Sequence, residues 1–140
     1  MPKYAASREL LASRDDVWKV ISEPHHFRDW WPGVGGIQPD RRGFAPGARW
    51  KIVGDDRPRF LRRPNAGGIL QVLAIKSPER FRFMLTGDRI EGELRLEDRG
   101  DRTFATLTVE APALIGLRRS MPARALARLH ALCQTAADLS

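Results

Sequence analysis

Three stretches late in the chain alternate between apolar and polar residues with a period of two. "RFRFMLT" (80–86) sets Phe81, Phe83 and Leu85 on one side; "RIEGELRLE" (89–97) does so with Ile90, Gly92, Leu94 and Leu96; "TFATLTVEA" (103–111) does so with Ala105, Leu107, Val109 and Ala111. Such alternation predicts antiparallel strands with one covered and one wet face. Gly87-Asp88 fits a two-residue hairpin loop of the Gly-X type. That loop pairs Leu85 with Ile90, Phe83 with Gly92 and Phe81 with Leu94 on the apolar side, and Arg82 with Glu93 and Met84 with Glu91 on the polar side. A slip of one residue would turn every apolar side chain outward, so the pattern specifies the register. Gly92 opposite Phe83 makes room for the ring, or marks a bulge or a bend.

Elsewhere the period changes. From Met121 to Asp138, the residues Met121, Ala125, Leu126, Leu129, Leu132, Cys133 and Ala136 recur at spacings of three and four, with arginines between them. This predicts an amphipathic helix long enough to cross a sheet, with Ser120 as N-cap and Pro122 in its first turn. Near the start, 3–11 reads as a strand. Ser13 with Asp16 forms a weak capping box for a short helix over 14–22, whose apolar face is Val17, Trp18, Val20 and Ile21. Pro24 opens a second short helix carrying Phe27, Trp30 and Trp31, which Pro32 and Gly33 stop. Ile37 begins extended structure; 47–54 and 68–75 read as strands, 55–67 as a loop and 77–79 as a turn. "DWWPGVGG" (29–36) poses a particular question. Neighbouring helical side chains point about 100° apart, so at most one of Trp30 and Trp31 should face the core squarely.

Composition narrows the classes. The chain has 140 residues, 42% hydrophobic and 29% charged, as expected of one globular domain over 1–140. No apolar run is long enough to span a membrane, so no membrane insertion is expected. "MPKYAASRELLAS" has no apolar signal-peptide core, and the single cysteine, Cys133, permits no intrachain disulfide. A cytoplasmic location, as monomer or homodimer, is the expectation. The net charge is +7, and of 24 basic residues only four are lysine, leaving twenty arginines. Such an excess raises nucleic acid as a partner. The arginines are scattered among carboxylates, however, and the only dense basic stretch is "DDRPRFLRR" (55–63), with Arg57, Arg59, Arg62 and Arg63. A footprint needs clustering on one face, so no nucleic-acid partner is expected.

One strand, two short helices, a run of antiparallel strands and a long C-terminal helix make an α+β order. It resembles the helix-grip fold of the START-like (SRPBCC) superfamily, which includes plant pathogenesis-related allergens, lipid-transfer START domains and polyketide cyclase/dehydrase-like proteins. "DDVWKVISEPHHFRDWWPGV" (15–34) is similar to that family's entry, a Val-Trp helix leading to an aromatic-Pro-Gly-Val corner. "SPERFRFMLTGDRIEGELRLEDRGDRTFATLTVEA" (77–111) is similar to its strand block, and His130 falls where a subset of the family also has a histidine. The resemblance covers about 5–137 and points to the polyketide cyclase-like branch. It implies a curved antiparallel sheet wrapped around the long helix, with a cavity between them for an apolar ligand.

Within that frame Trp30, Trp31, Trp50, Phe60 and Met121 are candidate lining or mouth residues, with Phe83, Ile90 and Leu94 on the apolar face of the sheet. Each of these large side chains serves equally as plain core. His130, at the edge of the helix's apolar stripe, is the candidate acid/base or ligand-binding group; the alternative is an ordinary boundary histidine. His25 and His26 should sit near the surface. Glu91 and Glu93 share one face of a strand, but it is the polar face, so they read as surface charges. Three histidines and one cysteine without converging spacing suggest no metal. No nucleotide-binding or nucleophile-elbow motif is present and no cofactor is expected. Two functions stay open: a protein binding a hydrophobic or aromatic small molecule and performing cyclase/dehydrase-type chemistry on it, or a non-catalytic carrier or sensor with the same pocket.

Overall fold

The computed structural model describes residues 3–32, 34–53, 68–87, 89–112 and 119–139, with side chains to 135 in the last segment. The elements are β1 (Lys3–Leu10), α1 (Arg14–Ile21), a 3-10 turn (Pro24–His26), α2 (Phe27–Trp30), β2 (Ile37–Gln38), β3 (Arg49–Ile52), β4 (Ile69–Lys76), β5 (Arg80–Leu85), β6 (Ile90–Asp98), β7 (Thr103–Glu110) and α3 (Met121–Leu139). The strands form one curved, unclosed sheet in the order β1-β7-β6-β5-β4-β3-β2, every neighbouring pair antiparallel. This is the helix-grip arrangement expected from the sequence.

The local reasons are visible at each junction. Ser13 caps α1, its side chain accepting from the Asp16 N–H at 3.2 Å. Glu23 caps the 3-10 turn through the His25 N–H, and Pro24 occupies the first position, where no N–H is needed. The hairpin of β5 and β6 has the expected register, with Leu85 opposite Ile90, Phe83 opposite Gly92 and Phe81 opposite Leu94. Among its described residues, Arg89 is left-handed, with φ 57°. Thr86 clamps the hairpin to the next strand: its hydroxyl donates to the Ile69 carbonyl at 3.0 Å and accepts from the Ile69 N–H at 3.1 Å. Thr103, fully buried, donates to the Ala12 carbonyl at 2.8 Å and ties the start of β7 to the β1–α1 junction.

The inner face of the sheet carries Leu70, Val72, Phe81, Phe83, Leu94, Leu107 and Val109, all buried. Helix α3 lies against β1, β7, α1 and α2, presenting Ala125, Leu126, Leu129 and Cys133 as a buried stripe with His130 half-exposed at its edge. The stripe read from the sequence is thus the packed face. The outer face is polar. Arg82 pairs with Glu91 at 2.5 Å and with Glu93 at 3.6 Å, and Glu93 also pairs with Arg95, so both glutamates are surface charges as expected. Among the described residues, no helix is long and apolar enough to cross a membrane.

The extended segments after α2 are shorter than the sequence suggested. The pairing covers Ile37–Gln38 and Arg49–Ile52, while the whole of 55–67 lies outside the described residues.

Candidate functional site

The corner after α2 delivers its aromatics inward. Trp30 and Trp31 are 1% and 3% exposed, so both are core side chains, which corrects the expectation that at most one would be. The reason is that the helix ends between them. Trp30 is the last residue of α2, whereas Trp31 is its C-cap, with extended φ −94° and ψ 117°. The helical offset of about 100° does not apply across that break.

Phe27 is the hub of the cluster. Trp31 stacks on it at 5.5 Å between ring centroids, and Trp30 (5.2 Å), Phe83 (5.4 Å) and Trp50 (6.3 Å) meet it edge to face. Phe83 in turn meets Trp31 at 5.2 Å and Trp30 at 6.4 Å. Offset and edge-on arrangements of this kind add to the simple burial of area. Of the sequence-predicted residues, Trp30, Trp31 and Phe83 are in direct ring contact, and Trp50 joins them through Phe27. Leu94 is fully buried beside them in β6, paired with Phe81 and Leu107. Ile90 and Met121 are buried at the hairpin end of β6 and at the start of α3. Phe60 lies outside the described residues, as do Arg57, Arg59, Arg62 and Arg63.

The indole nitrogens divide these tryptophans. Trp50 Nε1 donates to the Gly43 carbonyl at 2.6 Å. Trp30 Nε1 is covered and, among the described residues, has no hydrogen-bond partner. An unmatched buried donor costs about 1–3 kcal/mol, so Trp30 is the polar irregularity in an apolar cluster.

Sequence reasoning passed over the loop that covers the cluster's flank. Asp40 organises it: one carboxylate oxygen accepts from the Arg42 and Gly43 N–H groups at 3.0 and 3.3 Å, the other from the Arg49 N–H at 3.0 Å. The Arg49 N–H, followed by those of Arg42 and Gly43, holds this carboxyl below its ordinary value against the opposing cost of desolvation. The loop then places Phe44 on Phe81 at 4.9 Å and edge-on to Trp18 at 5.5 Å. "PDRRG" (39–43), an Asp followed by a glycine at φ 60°, was the available signal for an Asx-type turn.

His130 is half-buried on α3, and its Nδ1 is covered without a partner. Burial, and then the positive charge of Arg8 on β1, push its pKa below the ordinary value, so the ring is neutral at pH 7. Among the described residues, nothing hydrogen-bonds to that nitrogen, so no acid/base dyad is assembled through it. Cys133 is buried on the same helix, and burial followed by the Asp16 charge pushes its thiol up to about 11, keeping it protonated. His25 is exposed, while His26 is half-buried with Nδ1 2.9 Å from the Val20 carbonyl. No group of three or more metal-binding side chains occurs among the described residues.

Comparison with known proteins places this geometry in context. Residues 1–135 match the family described as polyketide cyclase / dehydrase and lipid transport. No curated protein matches the sequence. Among solved structures, a protein from Nitrosomonas europaea is similar with a TM-score of 0.71 at 17% identity, covering 97% of this chain and 96% of that one. A protein from Nitrosospira multiformis gives 0.68 at 19% identity, over 93% and 94% of the two chains. A START superfamily protein from Mycobacterium smegmatis gives 0.64 at 15% identity, over 99% of each. At these identities the likeness is one of fold.

Proposed function

The chain belongs to the polyketide cyclase/dehydrase and lipid transport family, within the START-like superfamily, and from that premise we propose that it binds a hydrophobic or aromatic small molecule between sheet and helix. The observation that carries this reading is the unpartnered Trp30 Nε1 at the heart of a cluster of rings. Small-molecule sites are mostly apolar with few polar groups, and those groups fix the ligand's orientation. Trp30, Trp31 and Phe83 would meet the ligand body, with Trp50, Leu94, Ile90 and Met121 as the wider lining. His130 would supply a neutral imidazole that can accept or donate one proton. If the ligand is a reactive chain, holding it in a folded pose is the main contribution the protein makes to cyclisation or dehydration.

A second reading, a non-catalytic carrier or sensor, is favoured by the isolation of His130: among the described residues, no partner holds its Nδ1. Native mass spectrometry of protein purified from its own host tests the shared part. A co-purifying apolar molecule, lost in Trp30→Ala, supports ligand binding; bare protein from the host would remove it. Turnover of that molecule, abolished in His130→Ala with binding retained, selects the enzyme, and binding without turnover selects the carrier.

A further inference from the structure

The outer side of the sheet holds a second feature, away from the aromatic cluster. A groove of about 540 Å³ opens where the β4–β5 turn and the ends of β6 and β7 meet the start of α1. Its cations are Arg14, Lys76, Arg80 and Arg95. Arg80 on β5 stands directly opposite Arg95 on β6, and both belong to the outward-facing set of their strands. Like charges directly opposite on neighbouring strands destabilise a sheet unless something neutralises them.

The carboxylates at the rim do not supply that neutralisation to Arg80. Glu79 is engaged by Lys76 at 3.2 Å and Arg14 at 3.9 Å, and Glu97 by Arg99 at 3.2 Å. Asp98 accepts from the Gly100 N–H at 2.9 Å, and Arg95 is paired with Glu93. Among the described residues, Arg80 has no ion-pair partner. The Nε–H groups of both Arg80 and Arg14 are covered and, again among the described residues, have no hydrogen-bond partner. Both residues line the groove, so two guanidinium groups that each carry an unmatched N–H stand at one site. Phe104 gives the groove an apolar surface, with the Arg99 guanidinium 4.9 Å from its ring centroid.

We propose that this groove binds a phosphomonoester, the phosphoryl group lying between Arg80, Arg95 and Arg14 and a small organic body resting on Phe104. Arg binds phosphoryl groups bidentately, so the dianion would meet Arg80 directly and share Arg95 with Glu93 and Arg14 with Glu79. The groove is also larger than a bare phosphate ion requires, which is why an attached organic group is part of the assignment. The site is independent of the interior cluster and would be occupied whether or not a ligand is bound there.

Calorimetric titration with phenyl phosphate at low ionic strength tests this. One equivalent binds to the wild type; Arg80→Gln and, separately, Arg95→Gln each weaken binding about tenfold or more, while Arg128→Gln, exposed on α3 and away from the groove, leaves it unchanged. Phosphatidylcholine vesicles with and without phosphatidate distinguish a lipid headgroup from a soluble ester, through Arg80-dependent retention on the phosphatidate-containing vesicles alone. Absence of saturable binding to either probe, or an equal loss in the Arg128→Gln variant, overturns the assignment, the latter by reducing it to attraction between an anion and a protein of net charge +7. Unchanged thermal unfolding of the two groove variants confirms that they are folded.

Discussion

The ring of Phe83 lies directly over Gly92 on the neighbouring strand: a Cβ added at Gly92 would stand 2.5 Å from Phe83 Cζ and within 3.0 Å of both Cε atoms. The cross-strand pair is therefore half side chain and half vacancy, and the space that glycine leaves is filled by the ring that also meets Phe27, Trp30 and Trp31. Gly92→Ala forces that ring off its position and costs about 1–3 kcal/mol by overpacking, read as a lowered urea midpoint with unchanged slope. The double variant Gly92→Ala/Phe83→Leu should recover part of the loss, since contacting residues couple. Purely additive losses would mean that the ring is not what resists the methyl.

Trp30 and Trp50 should respond differently to the same substitution. Trp30→Phe removes an unpartnered donor along with some apolar area, and the two effects oppose one another, so stability should change by no more than about 1 kcal/mol. Trp50→Phe breaks the bond to the Gly43 carbonyl and leaves a hole, costing about 2–4 kcal/mol. Chemical denaturation of the two variants measures the contrast directly; equal losses would show that the Trp30 N–H is satisfied in solution.

His130 gives the fold a dependence on mild acid. Its folded pKa is depressed below the ordinary 6.5, first by burial and then by Arg8. Above that ordinary value the ring is neutral in both folded and unfolded chains and has no effect on the balance. As the pH falls through it toward the folded value, the unfolded chain takes up the proton first and stability drops; below the folded value the loss is complete. Unfolding free energies measured between pH 8 and pH 5 should therefore fall less steeply in His130→Gln than in the wild type. Parallel curves would place the histidine in water.

Asp40 acts through a loop. Asp40→Ala removes the acceptor shared by the Arg42, Gly43 and Arg49 N–H groups and should release Phe44 from Phe81. The readout is faster proteolysis within 39–48 and a changed near-ultraviolet circular dichroism spectrum, with Asp40→Asn intermediate. Because the folded carboxyl sits below its ordinary 3.8, the anchor is present above that pH and lost as the pH falls through the folded value.

How much of this could be read beforehand depended on how local the determining physics was. The β5–β6 register followed from alternation alone, since a period of two leaves no freedom once one face is buried, and the stripe of α3 followed from spacing in the same way. The corner at Trp30 and Trp31 failed because a helix was extended one residue past its end. The 39–48 loop was invisible because its structure depends on partners across the sheet, Asp40 with Arg49 and the Gly43 carbonyl with the Trp50 indole. At the candidate site the aromatic residues were legible as types. That the Trp30 and His130 nitrogens are left unmatched is a property of packing, which no spacing in the sequence encodes.

The sheet order also has a consequence for how the chain reaches its fold. Strand β1 pairs with β7, residue by residue from Lys3 with Glu110 to Leu10 with Thr103. Strand β1 thus has no partner until every strand from β2 to β7 has followed it, whereas β4 through β7 can assemble as successive hairpins of short separation. Closing so long a loop is entropically slow, which makes docking of β1 the late event. A chain halted before β7 would expose both an unpaired edge and the apolar face that α3 covers, the combination most prone to association with other chains.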